Sequence, residues 1–367
     1  MNIYTVTNLY NNYGSILQAF ALQSRLKELG VIPYVILDKS NEKKGDSRIL
    51  SYLKVLRPRE NYSLFKRIKL RFQARKFTRK NLKLQNFIKD NISTLRVIDK
   101  DSFFKSIKSD DILLAGSDQI WNVLNSPLSD WYTFQDVHDL KIKRYSYAAS
   151  IGLSQLSNKQ IEDFTQKLPT FQCISLRERH AYAILKPIFP DKVREDLDPT
   201  LLYDGAYWKR KASERIVKEP YIFVYMLRPS RDVIAIAKKV AKEKKCKILY
   251  TGLEVVNDKA IRTIFDAGIE DFLSLVCNSE TVITNSFHGT VFSILFEKPF
   301  LSVSINSTSS RVQSILEKVG LMSQFVSDSK EKYSLDINFT NANQVLAEKR
   351  IESLDYLKCI CSKKEKL

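Results

Sequence analysis

The segment VITNSFHGTVFSILFEKPF, residues 282–300, carries an apolar strand into Asn285, Ser286, Phe287, His288 and Gly289 before a helix begins. An imidazole at such a turn can donate a proton near neutral pH. The opening N–H groups of the helix form its positive dipole end, so Gly289 and Thr290 could cradle a phosphate beside His288. The competing reading is a histidine satisfied by backbone carbonyls at an ordinary turn. In SLRERH, residues 175–180, Arg177 follows an apolar strand, where a guanidinium can grip a carboxylate or phosphate with two parallel hydrogen bonds. A charge-rich helix start in water would use the same residues. LLAGSDQIWN, residues 113–122, puts Gly116, Ser117 and Asp118 just after another strand, which suits a substrate loop and equally suits a helix cap. In SSRVQSILEKVGL, residues 309–321, Arg311 lies in the first turn of an expected helix, facing the same cleft or solvent.

These residues act together only if strands deliver them to one edge. The chain opens with an apolar strand at 3–7, a polar loop with Asn8, Asn11, Asn12 and Gly14, a helix at 15–29 closed by Gly30, and a strand at 33–38. Strand, helix and strand in so short a span predict a parallel βαβ unit. Further strands are expected at 111–115, 143–149 and 172–176. A second alternating series follows: strands at 221–227, 247–250, 281–284 and 300–304, with helices at 231–244, 269–277 and 289–296. The expectation is an α/β chain of two Rossmann-like domains with parallel sheets, at 1–205 and 206–340, closed by a helix within 341–367. Ligands of such tandems sit outside the carboxyl ends of the strands and between the domains, so residues just after strands matter most.

Bulk composition limits the function classes. A chain of 367 residues exceeds the size at which one core usually stops growing, which makes two domains the default. No apolar run approaches the ~18–20 residues of a membrane span. The opening residues lack the pattern of a secretory signal, so the expected location is the cytoplasm. Five cysteines stand without a paired framework, and three histidines stand apart from one another and from every cysteine. Reduced thiols and a chemistry without metal are expected. The net charge of +18 is consistent with a solvated surface. Much of it nevertheless falls in a basic helical insertion at about 48–92. There Leu64, Phe65, Ile68 and Phe72 recur at helical spacing among Lys66, Arg67, Lys69, Arg71, Arg75 and Lys76, as in a helix that rests on an anionic membrane. No nucleic-acid recognition motif accompanies it, so nucleic acid is not an expected partner.

The strings NNYGSILQAFALQ, AGSDQIWN, YSYAASIG, SLRERH, DPTLL and TNSFHGTVFSILFEKPF occur in this order from about residue 3 to 321. In this the chain resembles the polysaccharide pyruvyl transferases. The resemblance implies an architecture similar to GT-B glycosyltransferases, with phosphoenolpyruvate as donor, a sugar or lipid-linked saccharide as acceptor, and no redox cofactor. It further implies donor contacts at Arg177 and Arg311 and matches His288 to the family's histidine; on this chain's own residues, His288 is then the expected proton-transfer group, with Ser286, Gly289 and Thr290 at the donor side. Asn12, Tyr13, Gly14, Ser15 and Ser117 would face the acceptor, with Asp118 as base on a sugar hydroxyl. Many members carry an arginine two residues before the histidine, where this chain has Ser286. If that arginine grips the donor, Arg311, Lys298 or Arg177 must compensate, or the donor preference differs. The rival expectation is a nucleotide-sugar glycosyltransferase, whose ribose-binding acid would be Glu280 or Glu297. A third is a non-catalytic member of an envelope-polysaccharide assembly.

Overall fold

Apolar β-branched runs alternate with amphipathic helices along the chain, and the computed structural model, which describes residues 1–10, 12–38, 63–252, 256–304 and 309–362, folds them into two parallel-sheet domains. The first 15 residues of the expected 48–92 insertion lie outside the described residues, as do 363–367.

In the first domain β1 (Asn2–Val6) leads through Asn12 into α1 (Tyr13–Glu28), and β2 (Ile32–Asp38) returns parallel to β1. The Asn12 side chain caps α1 by accepting from Gly14 N–H. The basic insertion supplies α2 (Leu64–Asn91), followed by β3 (Thr94–Val97), α3 (Lys100–Ser106) and β4 (Ile112–Ala115). Then come the single turn α4 (Asp130–Thr133), β5 (Lys143–Ser146) and α5 (Asn158–Lys167). The sheet order is β3-β2-β1-β4-β5, every pair parallel. Beyond β5 a small parallel pair, β6 (Ile174–Leu176) and β7 (Val193–Glu195), attaches through isolated bridges from Tyr145 to Cys173 and from Ala149 to Leu176, with α6 (Arg179–Leu185) between its strands.

After α7 (Gly205–Lys211), the second domain contributes β8 (Tyr221–Met226), α8 (Arg231–Lys244), β9 (Lys247–Gly252), β10 (Ile261–Thr263) and α9 (Ile269–Cys277). It continues through β11 (Thr281–Thr284), α10 (Phe287–Leu295), β12 (Phe300–Val303), α11 (Ser309–Lys318) and β13 (Phe325–Val326). The strand order β10-β9-β8-β11-β12-β13 again reverses beside its first strand. A final helix, α12 (Thr340–Cys361), turns back onto the first domain, where Tyr356 Oη donates to Ser146 O and Ser353 Oγ accepts from Leu197 N–H.

The helix expected to begin at Gly289 begins two residues earlier, because Ser286 acts as its N-cap; His288 therefore sits inside the first turn of α10 rather than before it. Between the domains lies continuous apolar packing: Tyr13 stacks on Phe272 at 4.6 Å, and Trp208 meets both Phe20 and Phe292 edge-on.

Candidate functional site

Each sheet changes direction at one strand pair, β1/β4 in the first and β8/β11 in the second, and the loops leaving those strands meet across the crevice. Gly14, at the start of α1, lies so close to the imidazole of His288 that a Cβ there would come within 2.0 Å of Nδ1. Only glycine permits this approach. Tyr225 Oη donates to Asn12 Oδ1 at 3.2 Å, and Arg179 N–H donates to Ser314 Oγ at 3.0 Å, so further bonds cross the crevice at the same level.

Three basic side chains converge there. Arg177, which follows β6, donates from Nη1 to Asp198 Oδ2 at 2.8 Å, places Nε 3.5 Å from Glu178, and lies under the Phe287 ring at 4.5 Å. His288 directs Nε2 to the same Asp198 oxygen at 3.6 Å, within ion-pair range but beyond a hydrogen bond. Arg311, in the first turn of α11, is buried and feels Arg177 on one side and Glu178, Asp118 and Asp198 on the other. Burial and the like charge of Arg177 push the Arg311 pKa down to about 10. Burial also opposes the Arg177 charge, but Glu178 and Asp198 outweigh it and raise that group. For Asp198 burial works to raise the carboxyl, yet His288 and Arg177 hold it well below the usual carboxylate range.

Several polar atoms here are buried without a partner among the described residues: Arg177 Nη2, Arg311 Nε, His288 Nε2 and Glu178 Oε2. Orphaned buried donors are costly, and such a cluster at a crevice is what an anionic ligand would satisfy. Ser117 borders the cluster with Oγ 3.5 Å from Asp198, while its carbonyl accepts from Thr7 Oγ1. Asp118 follows in a left-handed backbone conformation, φ 76°, with its carboxylate accepting its own successor's N–H at 2.8 Å.

Other expected site residues have different work. Ser286 is buried and caps α10, accepting from Gly289 N–H at 3.4 Å; Thr290 N–H donates to Ser286 O, and Thr290 Oγ1 pairs with Ser302 Oγ. Those bonds consume the groups expected of Gly289 and Thr290, so this pair does not present free donors to a phosphate. Any contact from this helix start falls to its first N–H groups, at Phe287 and His288. Tyr13 is committed to the domain interface, its hydroxyl 3.1 Å from Thr251 Oγ1 and donating to Ala267 O. Ser15 holds the preceding loop, donating to Asn8 O and accepting from Tyr10 N–H. Neither is placed to face an acceptor. Lys298 lies past the end of α10 opposite His288. Glu280 is exposed at the amino end of β11 and Glu297 accepts from Asn343 at the surface, so neither reaches the crevice.

The residue missed from sequence is Asp198, completely buried at the centre of the cluster. Its only signal was the Asp-Pro step of DPTLL, where its other oxygen caps a 3-10 turn at Pro199–Leu202. Glu178, bonded by Ser150 Oγ, is buried, which goes against the competing reading of that turn as a charge-rich helix start in water.

No group of three or more His, Cys, Asp or Glu side chains that could hold a metal ion occurs among the described residues. The Arabidopsis thaliana protein UGT89C1, solved in complex with UDP-L-rhamnose, superimposes with a TM-score of 0.54 at 10% identity, covering 98% of each chain. UDP-N-acetylglucosamine 2-epimerase from Rickettsia bellii gives 0.47, also at 10% identity and 98% of each chain. The first likeness shows the fold, two Rossmann-like domains of the GT-B kind, and at such identity nothing more. No curated protein sequence matches the chain. A family model described as polysaccharide pyruvyl transferase matches residues 12–307, a span that takes in Gly14, Asp118, Arg177, Asp198 and His288 and stops just short of Arg311. The chain belongs to the polysaccharide pyruvyl transferase family.

Proposed function

We propose that this crevice transfers the enolpyruvyl unit of phosphoenolpyruvate to a sugar, free or lipid-linked, and closes it into a cyclic pyruvate ketal during cell-surface polysaccharide synthesis. The observation that carries the reading is the pair of buried guanidiniums, Arg177 and Arg311, each with an unpartnered N–H beside an unbonded His288 Nε2. A ligand with a carboxylate at one end and a phosphate at the other would satisfy both arginines.

In the scheme, C3 of phosphoenolpyruvate takes a proton and a sugar hydroxyl oxygen attacks C2, losing its own proton. The C2–O bond to phosphate breaks, and phosphate leaves with the electron pair. A second hydroxyl of the same sugar adds to C2 and loses its proton, which completes the ketal. His288 is placed to move a proton at the donor, with Asp198 beside Nε2 stabilising the imidazolium. The two arginines hold the carboxylate and the phosphate, and the one at the phosphate stabilises its charge on departure. Asp118, on the first-domain side, is the candidate base for the sugar hydroxyl. No metal or redox group enters these steps. Support comes from the family match and from this placement.

The test is phosphate release from phosphoenolpyruvate with a panel of free and lipid-linked saccharides. Acceptor-dependent release, with pyruvate recovered in the saccharide, is expected. Release that ignores the acceptor, or transfer of a glycosyl unit from a nucleotide sugar by the same protein, would replace this reading with another.

A further inference from the structure

The amino-terminal half of α2 carries a feature that the crevice does not use. Leu64, Phe65, Ile68 and Phe72 are between 57% and 81% exposed. On a helix of ~3.6 residues per turn these four side chains fall within about 100° of arc. They form one stripe rather than scattered surface carbons. Lys69 and Lys76 fall on one flank of the stripe and Arg67 and Arg71 on the other, while exposed Arg75 and Arg79 continue it toward Leu82, itself 58% exposed. No acidic residue occurs between Glu60 and Asp90 in the sequence.

The stripe is not a frayed extension of the helix's core face. Farther along, α2 buries Phe77, Lys80, Leu84 and Phe87 against the two domains, and by the same geometry that face is centred roughly 120° away. The helix thus has two apolar faces, one docked and one open. An open stripe of large carbon side chains edged by cations matches the cross-section of an anionic bilayer, with apolar groups entering the headgroup boundary and basic groups meeting lipid phosphates. A face that followed nucleic-acid phosphates would put cations, not Leu64, Phe65, Ile68 and Phe72, along its centre.

We propose that the Leu64–Arg79 face of α2 docks this protein on anionic lipid bilayers as a peripheral contact. No described helix is long and apolar enough to cross a membrane, so the contact is interfacial.

The experiment is co-sedimentation of the full chain with vesicles of phosphatidylcholine alone or phosphatidylcholine mixed with phosphatidylglycerol. Binding to the anionic vesicles is expected, falling as salt rises. Phe65→Ser with Phe72→Ser should weaken it although every charge is kept. Arg71→Glu with Arg75→Glu should weaken it by roughly tenfold or more. All four positions are exposed, so both double variants should keep the wild-type thermal midpoint. The proposal is overturned by absence of binding to the anionic vesicles. Binding that both double variants leave unchanged overturns it too. So does a self-association in solution that Phe65→Ser with Phe72→Ser abolishes, which would assign the face to a second copy. Preferential binding of duplex DNA or RNA that survives loss of the phenylalanines would transfer the face to nucleic acid.

Discussion

His288, Arg177 and Arg311 were legible because each ends or follows an apolar strand-like run, and in a parallel sheet such positions share one edge. Asp198 was not, since nothing in its neighbourhood says that a buried acid will lie under both an arginine and a histidine from other segments. The misassignment at Gly289 and Thr290 has a local cause: a capping serine three and four residues earlier takes the donors that a phosphate would need. At this scale His288→Gln should lower turnover by ~10²–10⁴-fold with little change in folding, read by steady-state phosphate release and thermal melting. Arg311→Met makes an opposite-signed pair of predictions. Burial and Arg177 penalise the Arg311 charge, so the melting midpoint should hold or rise while affinity for phosphoenolpyruvate falls. A lowered midpoint would show that Arg311 is part of the scaffold. Arg177→Ala differs, because it strands Asp198 in a buried site. It should cost about 3–5 kcal/mol of stability in denaturant unfolding.

At the scale of elements, α8 and α9 follow so clearly from periodicity that expected and observed bounds coincide. Short pieces such as β3 and β7 did not, because three or four residues define no period and are fixed by the strand beside them. The basic insertion was legible as helical, but its reach was not. From α2, Lys80 Nζ donates to Gly252 O at 3.1 Å and lies 4.5 Å above the Tyr13 ring, and Lys83 pairs with Asp271 at 2.6 Å, so this helix joins both domains. Burial pushes Lys80 down to about 7, against ~10.4 for an unfolded lysine. Between those values the unfolded chain binds the extra proton, and stability rises with pH across that window. The stability of wild type relative to Lys80→Met should therefore climb from pH 7 to 9 in denaturant titrations. A flat difference would mean that the Tyr13 ring and the Gly252 carbonyl keep the ammonium charged.

For the whole molecule, two domains were readable from the repeated strand–helix alternation, whereas the packing that locks them together was not, because it depends on aromatic side chains distant in sequence. Tyr13, Phe20, Trp208, Phe272 and Phe292 belong to one buried cluster spanning both domains, which opposes wide opening. The approach of Gly14 to His288 depends on that relation. Gly14→Ala should thus reproduce the turnover loss of His288→Gln by displacing the imidazole, with binding of the donor largely retained. Unchanged turnover would show that the two domains move apart during the reaction. The most direct measurement is calorimetric titration of the wild-type chain and Arg311→Met with phosphoenolpyruvate, since it needs no knowledge of the acceptor. Binding by wild type that the substitution abolishes is the predicted result. No binding by the wild-type chain, or equal binding by both proteins, would contradict the donor site built around Arg177, Arg311 and His288.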